Sequence, residues 1–337
     1  MRKILIPIFL IILLPGILSA GRYAGDFILI GSGVRPLGMG GAFTAVANNG
    51  SAIYWNSSGL AQIRDIEIEV MRAFLYKNLA TYDFFSFCIP LPANTTIGIS
   101  FTQLSIDDIP FYSEEWLVGT NVYIRSRDVD LHLTGEPDGF FSSNDQLFEF
   151  AFAKNFSQVI NLGWLLFDLP VEYYIGGTFK YIKKDLYKFL GSGMGGDISF
   201  MVKTDFALIT DIDWLGEIKF ALNLQDIGGT KITWDTRSKH TDEIITNPKY
   251  GLALIQPLNF IKSEINLAFD WNTMYEYNRH IGVELIYKDL LSFRSGLFNE
   301  HFTAGMGIRY KKFLINYAFI TNDDLGGSHR VGVTANF

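Results

Sequence analysis

Hydrophobic and polar residues alternate with a period of two along most of the chain beyond residue 65. The stretch 301–310 (HFTAGMGIRY) places Phe, Ala, Met, Ile and Tyr on one face and His, Thr, Gly, Gly and Arg on the other. The stretches 264–271 and 280–287 alternate in the same way. Because successive side chains of a β-strand point to opposite faces, each stretch predicts a strand with one apolar face and one polar or small face.

Fourteen segments of this kind can be distinguished, and most are close to the length of a strand that crosses a bilayer. A tilted strand needs about 9–11 residues for that purpose, whereas strands of soluble proteins average about five or six. The pattern therefore predicts an all-β protein, a closed antiparallel transmembrane β-barrel of about 14 strands. The segments lie near residues 66–74, 80–90, 95–105, 146–155, 170–183, 195–204, 217–227, 248–256, 262–271, 278–287, 290–297, 301–311, 313–321 and 328–337.

The connections between the segments differ in length in the way that a bacterial barrel requires. If the first strand leaves the periplasm, the odd connections face outward and include the long ones, 106–145 and 228–247, while inner turns such as 288–289 are short. An even number of strands also returns the C-terminus to the periplasm. Two inner connections, 156–169 and 205–216, are longer than expected; we predict either short interfacial helices or extensions of the strands there.

The composition agrees with this architecture. The chain is 48% hydrophobic, 15% aromatic and only 19% charged, yet no uncharged apolar run after residue 20 is long enough for a membrane-spanning helix. In lipid every backbone N–H and C=O must be paired, so strands can span only as a closed barrel. A soluble sandwich is the alternative. Tyrosines and tryptophans near the segment ends predict aromatic girdles at the two interfaces, formed by Tyr76, Tyr82, Tyr173, Tyr187, Trp271, Tyr275, Tyr277, Tyr287 and Tyr310.

Residues 1–20 have the features of a cleavable signal peptide, with two basic residues, an apolar stretch and a small-residue end. Its removal leaves 26 basic against 35 acidic residues, a net charge of −9, which argues against a nucleic-acid partner. We therefore expect the outer membrane as the location, with outer-membrane lipid and the barrel-assembly machinery as partners. The only cysteine, Cys88, lies in an apolar run and is interpreted as a packed core residue.

Residues 21–65 differ from the rest, being rich in glycine and small uncharged residues. A phosphate-binding loop is rejected because the glycine spacing is wrong and no Lys-Ser/Thr follows. A fourteen-stranded barrel has a lumen wider than its side chains can fill, so we predict that this segment is a hatch or plug in the lumen of the barrel formed by residues 66–337. A short helix is expected at residues 42–47, with Ser51 and Asn56 as turn or capping residues.

Two parts of this segment, 35–47 (RPLGMGGAFTAVA) and 51–61 (SAIYWNSSGLA), resemble the N-terminal signature of the PorV/PorQ family of FadL-like outer-membrane proteins. The C-terminal stretch 293–330 is similar to the end of that family. The family commonly has Asn-Pro-Ala-Gly in the hatch, where this chain has Asn-Ser-Ser-Gly at 56–59. The resemblance implies a fourteen-stranded barrel whose N-terminal hatch is shaped by Gly38, Gly40, Gly41, Trp55, Asn56 and Gly59.

The resemblance implies two functions. FadL-like relatives pass hydrophobic or other small compounds through a hatched lumen, and PorV-like relatives bind or shuttle secreted cargo in type IX secretion. Phe337, which ends an alternating strand, resembles the signal that barrels present to their assembly machinery.

No motif for catalysis or metal binding is found in the sequence. The five histidines are scattered, and neither a zinc motif nor a Gly-x-Ser-x-Gly elbow is present. His301 falls on the polar face of its strand and is interpreted as a lumen side chain. We expect no enzyme activity, catalytic residue, cofactor or metal, although a membrane-embedded hydrolase is a weaker alternative. The acidic residues of the connection 106–145 could bind calcium but lack EF-hand spacing, and a solvated loop is the preferred interpretation.

Overall fold

One antiparallel sheet that closes on itself forms the body of the molecule. The computed structural model describes residues 25–112, 137–161, 163, 168–273, 278–322 and 326–337. Within these residues the strands are β1 Glu67–Leu75, β2 Ala80–Leu91, β3 Thr95–Phe111, β4 Gly139–Asn161, β5 Asp168–Leu186, β6 Phe189–Asp205, β7 Glu217–Gln225, β8 Thr230–Trp234, β9 Thr241–Ile244, β10 Asn247–Leu258, β11 Ser263–Asn272, β12 Arg279–Tyr287, β13 Leu291–Phe298, β14 His301–Tyr310, β15 Phe313–Ile320 and β16 Ser328–Asn336.

The sheet closes because β1 pairs with β16 and every other wall strand pairs with two neighbours. Strand β6 pairs with β5 and β7, and its first residues also pair with β8, so β8 and β9 form a side hairpin outside the ring. The wall therefore contains fourteen antiparallel strands in the described residues, and the predicted closed barrel is confirmed. We call the end where β1 begins and β16 ends the terminal end, and the opposite one the loop end.

Short helices precede the barrel and lie in some of its turns. They are α1 Asp26–Leu29, α2 Val34–Gly38, α3 Ala52–Trp55 and α4 Phe206–Thr210, with 3₁₀ turns at Ser57–Gln62, Tyr76–Asn78 and Asn259–Ile261. In the described part of the chain, no helix is long and apolar enough to cross a membrane. The predicted helix at 42–47 is wrong. Residues 44–46 form a single turn, in which the N–H groups of Val46 and Ala47 both donate to the Phe43 carbonyl.

The predicted strand positions agree with the observed ones to within a few residues, except where four neighbouring strands are longer. β3, β4, β5 and β6 contain 17, 23, 19 and 17 residues, whereas β12 to β16 contain eight to ten. Both ends of the predicted connection 106–145, residues 106–111 and 139–145, therefore belong to β3 and β4, and the connection 228–247 holds the hairpin β8–β9. One side of the wall extends well beyond the other.

Of the two long inner connections, one extends the neighbouring strands and the other forms a short helix, so each of the two expected alternatives occurs once. In 156–169, residues up to Asn161 and from Asp168 extend β4 and β5, while most of the apolar run 162–167 lies outside the described residues. In 205–216 the apolar run forms α4, and the Asp205 side chain caps it by accepting from the Ala207 N–H at 2.9 Å.

Side chains alternate between the two faces of the wall as the sequence pattern predicts. The outward face carries exposed apolar residues such as Val70, Phe150 and Ile281, and the inward face carries buried polar or small ones such as Glu284 and Gly282. Tyr82 is an exception among the predicted girdle residues. It is fully buried on the inward face and lies 3.4 Å from the hydroxyl of Ser32. Tyr275 and Tyr277 lie outside the described residues.

Candidate functional site

The main candidate site is the contact between the N-terminal segment, residues 25–65, and the inward face of the barrel. The first three helices have four or five residues each, too few to be stable alone, and their apolar side chains are buried against the strands. Inside the segment, the indole N–H of Trp55 donates to the carbonyl of Ser32 at 2.7 Å, and the Asn56 amide donates to the carbonyl of Thr44 at 2.7 Å. The side-chain oxygen of Asn56 also caps the following 3₁₀ turn, as expected for a capping residue.

A buried ion cluster joins α2 to β12 and β13. The Glu284 carboxylate accepts from Arg35 Nε at 2.9 Å, from Arg35 Nη2 at 2.7 Å and from Arg294 Nε at 2.7 Å. Asn266 donates to the same carboxylate at 3.0 Å, and Asn316 accepts from Arg294 at 2.9 Å. Burial opposes the charge on Arg35, but the Glu284 carboxylate outweighs it, so the pKa of Arg35 lies above its ordinary value. One carboxylate thus holds two cations, one from the segment and one from the wall.

Three further carboxylates of the wall accept from backbone N–H groups of the segment. Asp270 accepts from Phe43 N at 2.9 Å and from Thr44 N at 2.7 Å. Glu69 accepts from the N–H of Ser51 at 3.1 Å, and Glu67 accepts from the N–H of Gly50, which precedes Ser51. Since charge-assisted hydrogen bonds are among the stronger ones, these contacts fix the turns before and after residues 44–48 against opposite parts of the wall.

Amide side chains of β7 satisfy the carbonyls at the end of α3. Asn223 donates to the Trp55 carbonyl at 2.9 Å, and Gln225 donates to the Tyr54 carbonyl at 3.0 Å. The Lys249 ammonium lies over both rings, 5.2 Å from the Tyr54 centroid and 5.1 Å from the Trp55 ring centroid. Burial raises the pKa of the Tyr54 hydroxyl, which donates to the Ile28 carbonyl at 2.6 Å.

Close backbone contacts complete the site. Gly40 has φ +65°, and a Cβ there would lie 2.5 Å from the backbone N of Leu297, so neither its conformation nor its position allows a side chain. The residue across from it, Gly296, would bring a Cβ within 2.6 Å of the Met39 carbonyl carbon. Segment and wall therefore meet backbone to backbone at this place, which only small residues on both sides permit.

All the residues predicted to shape the hatch are buried, and most lie at such contacts. Gly38 faces Gly305, Gly41 faces Phe298, and Gly59 faces the Ala47 carbonyl. Phe337 is exposed at the terminal end, where its backbone N–H donates to the Ile66 carbonyl at 2.9 Å; its role in assembly stays a prediction. The buried set is Gly38, Gly40, Gly41, Trp55, Asn56 and Gly59.

The sequence did not identify the wall residues that bind the segment. On the inward face of β12, Glu284 stands between Gly282 and Ile286. On the inward face of β11, Asp270 follows Ala268. An acidic residue next to glycine or alanine on an inward face is the signal that was available. Its partner could not be found in the sequence, because Arg35 is 249 residues away from Glu284.

Two regions of different character lie at the ends of the lumen. Toward the terminal end, a polar cavity of about 220 Å³ is bordered by Arg35, Glu67, Glu264, Arg294 and Arg309 among others. No group of three His, Cys, Asp or Glu side chains that could hold a metal ion occurs among the residues described. Of the acidic residues considered for calcium, those from 114 to 136 lie outside this part of the chain.

The loop end is apolar on its inward face. The rings of Phe111 and Phe141 both lie 5.2 Å from the Tyr187 ring, at the top of the longer wall. Strand pairing places Ile109 opposite Phe141 and Phe189 opposite Leu186, so these side chains also belong to that face. We call this set the apolar mouth: Ile109, Phe111, Phe141, Leu186, Tyr187 and Phe189.

The apolar mouth continues downward to the N-terminal segment. Leu104 and Ile106 pack against the buried core, which includes Phe27 of α1 together with Leu147 and Ile182 of the wall. One charged pair interrupts it: Lys184 lies 3.1 Å from Asp145 and places its ammonium 5.5 Å from the centre of the Phe27 ring. An apolar surface thus leads from the loop end to α1.

Solved structures of transporters are similar to this chain over most of its length. The toluene transporter TodX of Pseudomonas putida has 12% identity and a TM-score of 0.46, covering 90% of this chain and 96% of that chain. The toluene transporter TbuX of Ralstonia pickettii has 10% identity and a TM-score of 0.45, covering 92% and 99%. No protein-family model and no curated protein matches the chain, and the predicted membership of the PorV/PorQ family finds no support here.

Proposed function

We propose that the protein is a FadL-like channel of the outer membrane that admits small hydrophobic compounds at the apolar mouth and is closed by its N-terminal segment as a hatch. The terminal end then faces the periplasm. The apolar mouth carries this proposal, because a surface that leads inward and exposes aromatic side chains offers a binding path to apolar molecules.

The outward face supports the location in a bilayer. On β1 to β5 a row of polar residues lies directly beside a row of apolar ones, and both rows are in register across the five strands. Such a boundary is expected where a hydrocarbon layer ends at a headgroup region. The polar row is Arg72, Asp83, Gln103, Gln146 and Lys183, and the apolar row on its terminal-end side is Val70, Phe85, Phe101, Phe148 and Tyr181.

The hatch role rests on the contacts that fill the lumen. The segment binds to β1, β7, β11 and β12 through the carboxylates and amides described above, and these contacts across the lumen support a closing role. Transport therefore requires that the segment shift against the wall. The contacts at Glu284 and Asp270 are the strongest candidates for the ones that must break.

Uptake of a fluorescent apolar compound into proteoliposomes tests the proposal. Phe141→Ser, in the apolar mouth, should lower uptake about tenfold, as expected when most of one aromatic contact is lost. Phe140→Ser is the matched control, since the neighbouring side chain points outward and is exposed. Equal uptake by the two variants would contradict the role of the mouth.

Deletion of residues 21–60 tests the hatch in the same vesicles. An open lumen should admit small ions and raise the single-channel conductance, and it should also change permeability to apolar solutes. Unchanged permeability in the deletion variant would remove the main support for transport through the lumen. The alternative function is a component of type IX secretion, which would bind cargo at the long outer connections. Residues 113–136 of these connections lie outside the described residues. Co-purification of secretion components would favour this alternative.

A further inference from the structure

A groove of about 550 Å³ crosses the outward face of the barrel from β7 to β14. It lies on the side opposite the long wall, away from the apolar mouth. Its lining contains one hydroxyl, that of Ser295, which donates to the Thr303 carbonyl at 3.1 Å and is not free to bind a ligand. The groove is therefore apolar throughout.

The register of the strands explains the shape of the groove. Two rows of outward side chains border it, and residues of one row lie two positions along each strand from those of the other, a spacing of about 6.6 Å. The first row is large throughout, and the second becomes smaller toward β14. The first row is Leu252, Phe269, Ile281, Leu297 and Phe302, and the second is Leu254, Leu267, Val283, Ser295 and Ala304.

The floor of the groove is closed from inside. Between the two rows runs a third row of paired small residues that point inward, which includes Gly282 and Gly296. A Cβ on Gly282 would lie 2.3 Å from the Met39 carbonyl oxygen, so the N-terminal segment fills the space behind the wall. The groove is thus a surface site with a solid floor and not an opening into the lumen.

An exposed apolar patch adjoins the end of the groove at the terminal end. Phe206 of α4 lines the groove, and the residues that follow it are exposed although they are apolar. Trp214 is 71% exposed and Phe260, in the next turn of that end, is 83% exposed. Gln256 ties the two turns together by donating to the Trp214 carbonyl at 2.7 Å. The patch comprises Leu208, Ile209, Ile212, Trp214, Phe260 and Ile261.

We propose that the groove binds one acyl chain of a phospholipid of the periplasmic leaflet, with the exposed patch beside its headgroup. This inference rests on the proposed function only in that the barrel lies in a bilayer. Trp and other amphipathic rings prefer headgroup depth, which places the patch at the periplasmic interface and the groove above it in the hydrocarbon.

The dimensions select an acyl chain over a helix of a partner protein. An α-helix with side chains is about 10–12 Å wide, much more than the about 6.6 Å between the centres of the two rows, so the groove suits a thin aliphatic chain better, above all where the second row narrows to Ser295 and Ala304. From β10 to β14 the groove spans four strand spacings, about 19 Å, which on tilted strands matches one leaflet of a hydrocarbon core about 30 Å thick. The lack of charge along the groove agrees with an aliphatic occupant.

Photo-crosslinking in vesicles of phosphatidylethanolamine and phosphatidylglycerol tests this inference, with a diazirine on the acyl chain of the phosphatidylethanolamine. Mass spectrometry should find the labelled peptides concentrated on β10 to β14. Val283→Trp should reduce labelling there about tenfold, because the indole occupies the groove. Val70→Trp is the matched control, since Val70 and Val283 are 43% and 39% exposed on the same outward face. Ser295→Phe provides a second way to fill the groove if the first variant fails to fold.

Uniform labelling around the barrel, or equal labelling by the two tryptophan variants, would overturn the inference. A crosslinked dimer joined through β10 to β14 would also overturn it, in favour of contact between two copies. Failure of the proposed function is recognised separately. If labelling is confined to β10–β14 but apolar compounds are not taken up, the proposed transport fails and the lipid site stands. If the protein shows no heat-modifiable gel migration, it is not a barrel in the membrane and both proposals fail.

Discussion

Neutralising Glu284 is expected to release the N-terminal segment while the barrel stays closed. The Glu284 side chain is completely buried and accepts hydrogen bonds from Arg35 and Arg294, which have no other carboxylate within 4 Å among the described residues. Glu284→Gln keeps the shape of the side chain but leaves two buried guanidinium groups without their counter-charge. The barrel itself is held by backbone pairing between every two neighbouring strands of the ring, which does not involve this carboxylate, so the effect should be confined to the segment.

The magnitude follows from what buried ion pairs cost when one partner is removed. Such changes destabilise by about 3–5 kcal/mol, and every 1.4 kcal/mol is a tenfold change in an equilibrium constant. Undocking of the segment should therefore become roughly a hundredfold to several thousandfold more frequent. Replacing both arginines and the glutamate together should restore part of the loss, because the mismatch of charge is then removed.

Cys88 provides a natural probe for this experiment. It is the only cysteine of the chain, is fully buried on the inward face of β2, and lies beside Gly98, where an added Cβ would meet both the Cys88 sulfur and the Ile53 side chain of the segment. A membrane-impermeant maleimide should label Cys88 slowly in the wild type and much faster in Glu284→Gln. Hydrogen exchange at residues 34–50 should accelerate in parallel.

The control is an ion pair of similar geometry on the outward face. Arg72 and Asp83 form a bidentate pair with 2.7 Å distances, but both side chains are partly exposed. Asp83→Asn should change stability by at most about 1 kcal/mol and leave Cys88 labelling unaltered. The reasoning would be refuted if Glu284→Gln and Asp83→Asn gave the same labelling rate and the same exchange at residues 34–50.

Three further predictions concern other contacts. Gly40→Ala should lower the temperature of heat-modifiable gel migration by several degrees more than Gly228→Ala, since both glycines have positive φ but only Gly40 meets backbone atoms; an equal shift would contradict this. Lys180→Met removes the cation bound to two buried aspartates at 2.8 and 3.5 Å and should destabilise by about 3–5 kcal/mol, while the outward Lys183→Met should be close to neutral in the same denaturation assay. Deletion of Phe337 should reduce the amount of folded barrel in outer-membrane fractions, and Phe337→Tyr should not; equal amounts would argue against an assembly role.

The barrel could be predicted from the sequence because its pattern is local. Alternation along a strand depends only on neighbours two positions apart, and each strand pairs mostly with the next one in the chain. The same reasoning failed where strands continue beyond the apolar band. In the outer part of β3 and β4, residues such as Asp107 and Asn144 do not alternate in hydrophobicity, so this part of the sequence resembles a loop.

The site could be predicted only in part, because its contacts join residues that lie far apart in the sequence. Glycine and asparagine in the N-terminal segment indicate tight turns and close packing, but nothing in the sequence specifies against which wall residue each one packs. Tyr82 illustrates the limit. An aromatic residue near a strand end is typical of a girdle, yet the position of Tyr82 along β2 places it inside, where its hydroxyl lies near Ser32, which in turn lies near Thr102. The even or odd position of a residue along its strand therefore predicted the face of its side chain better than the residue type did.

The separation of 249 residues between Arg35 and Glu284 has a consequence for the order in which the molecule is made. The segment leaves the ribosome before the strands that receive it. It is followed directly by β1, but β12, which carries Glu284, is synthesised late, and β1 cannot close against β16 until the final residues are present. The ion pair between Arg35 and Glu284 can therefore form only after most of the barrel has been synthesised. Contacts between residues far apart in the chain form late in folding, so we expect complete docking of the segment to follow the synthesis of β12 and to accompany closure of the ring.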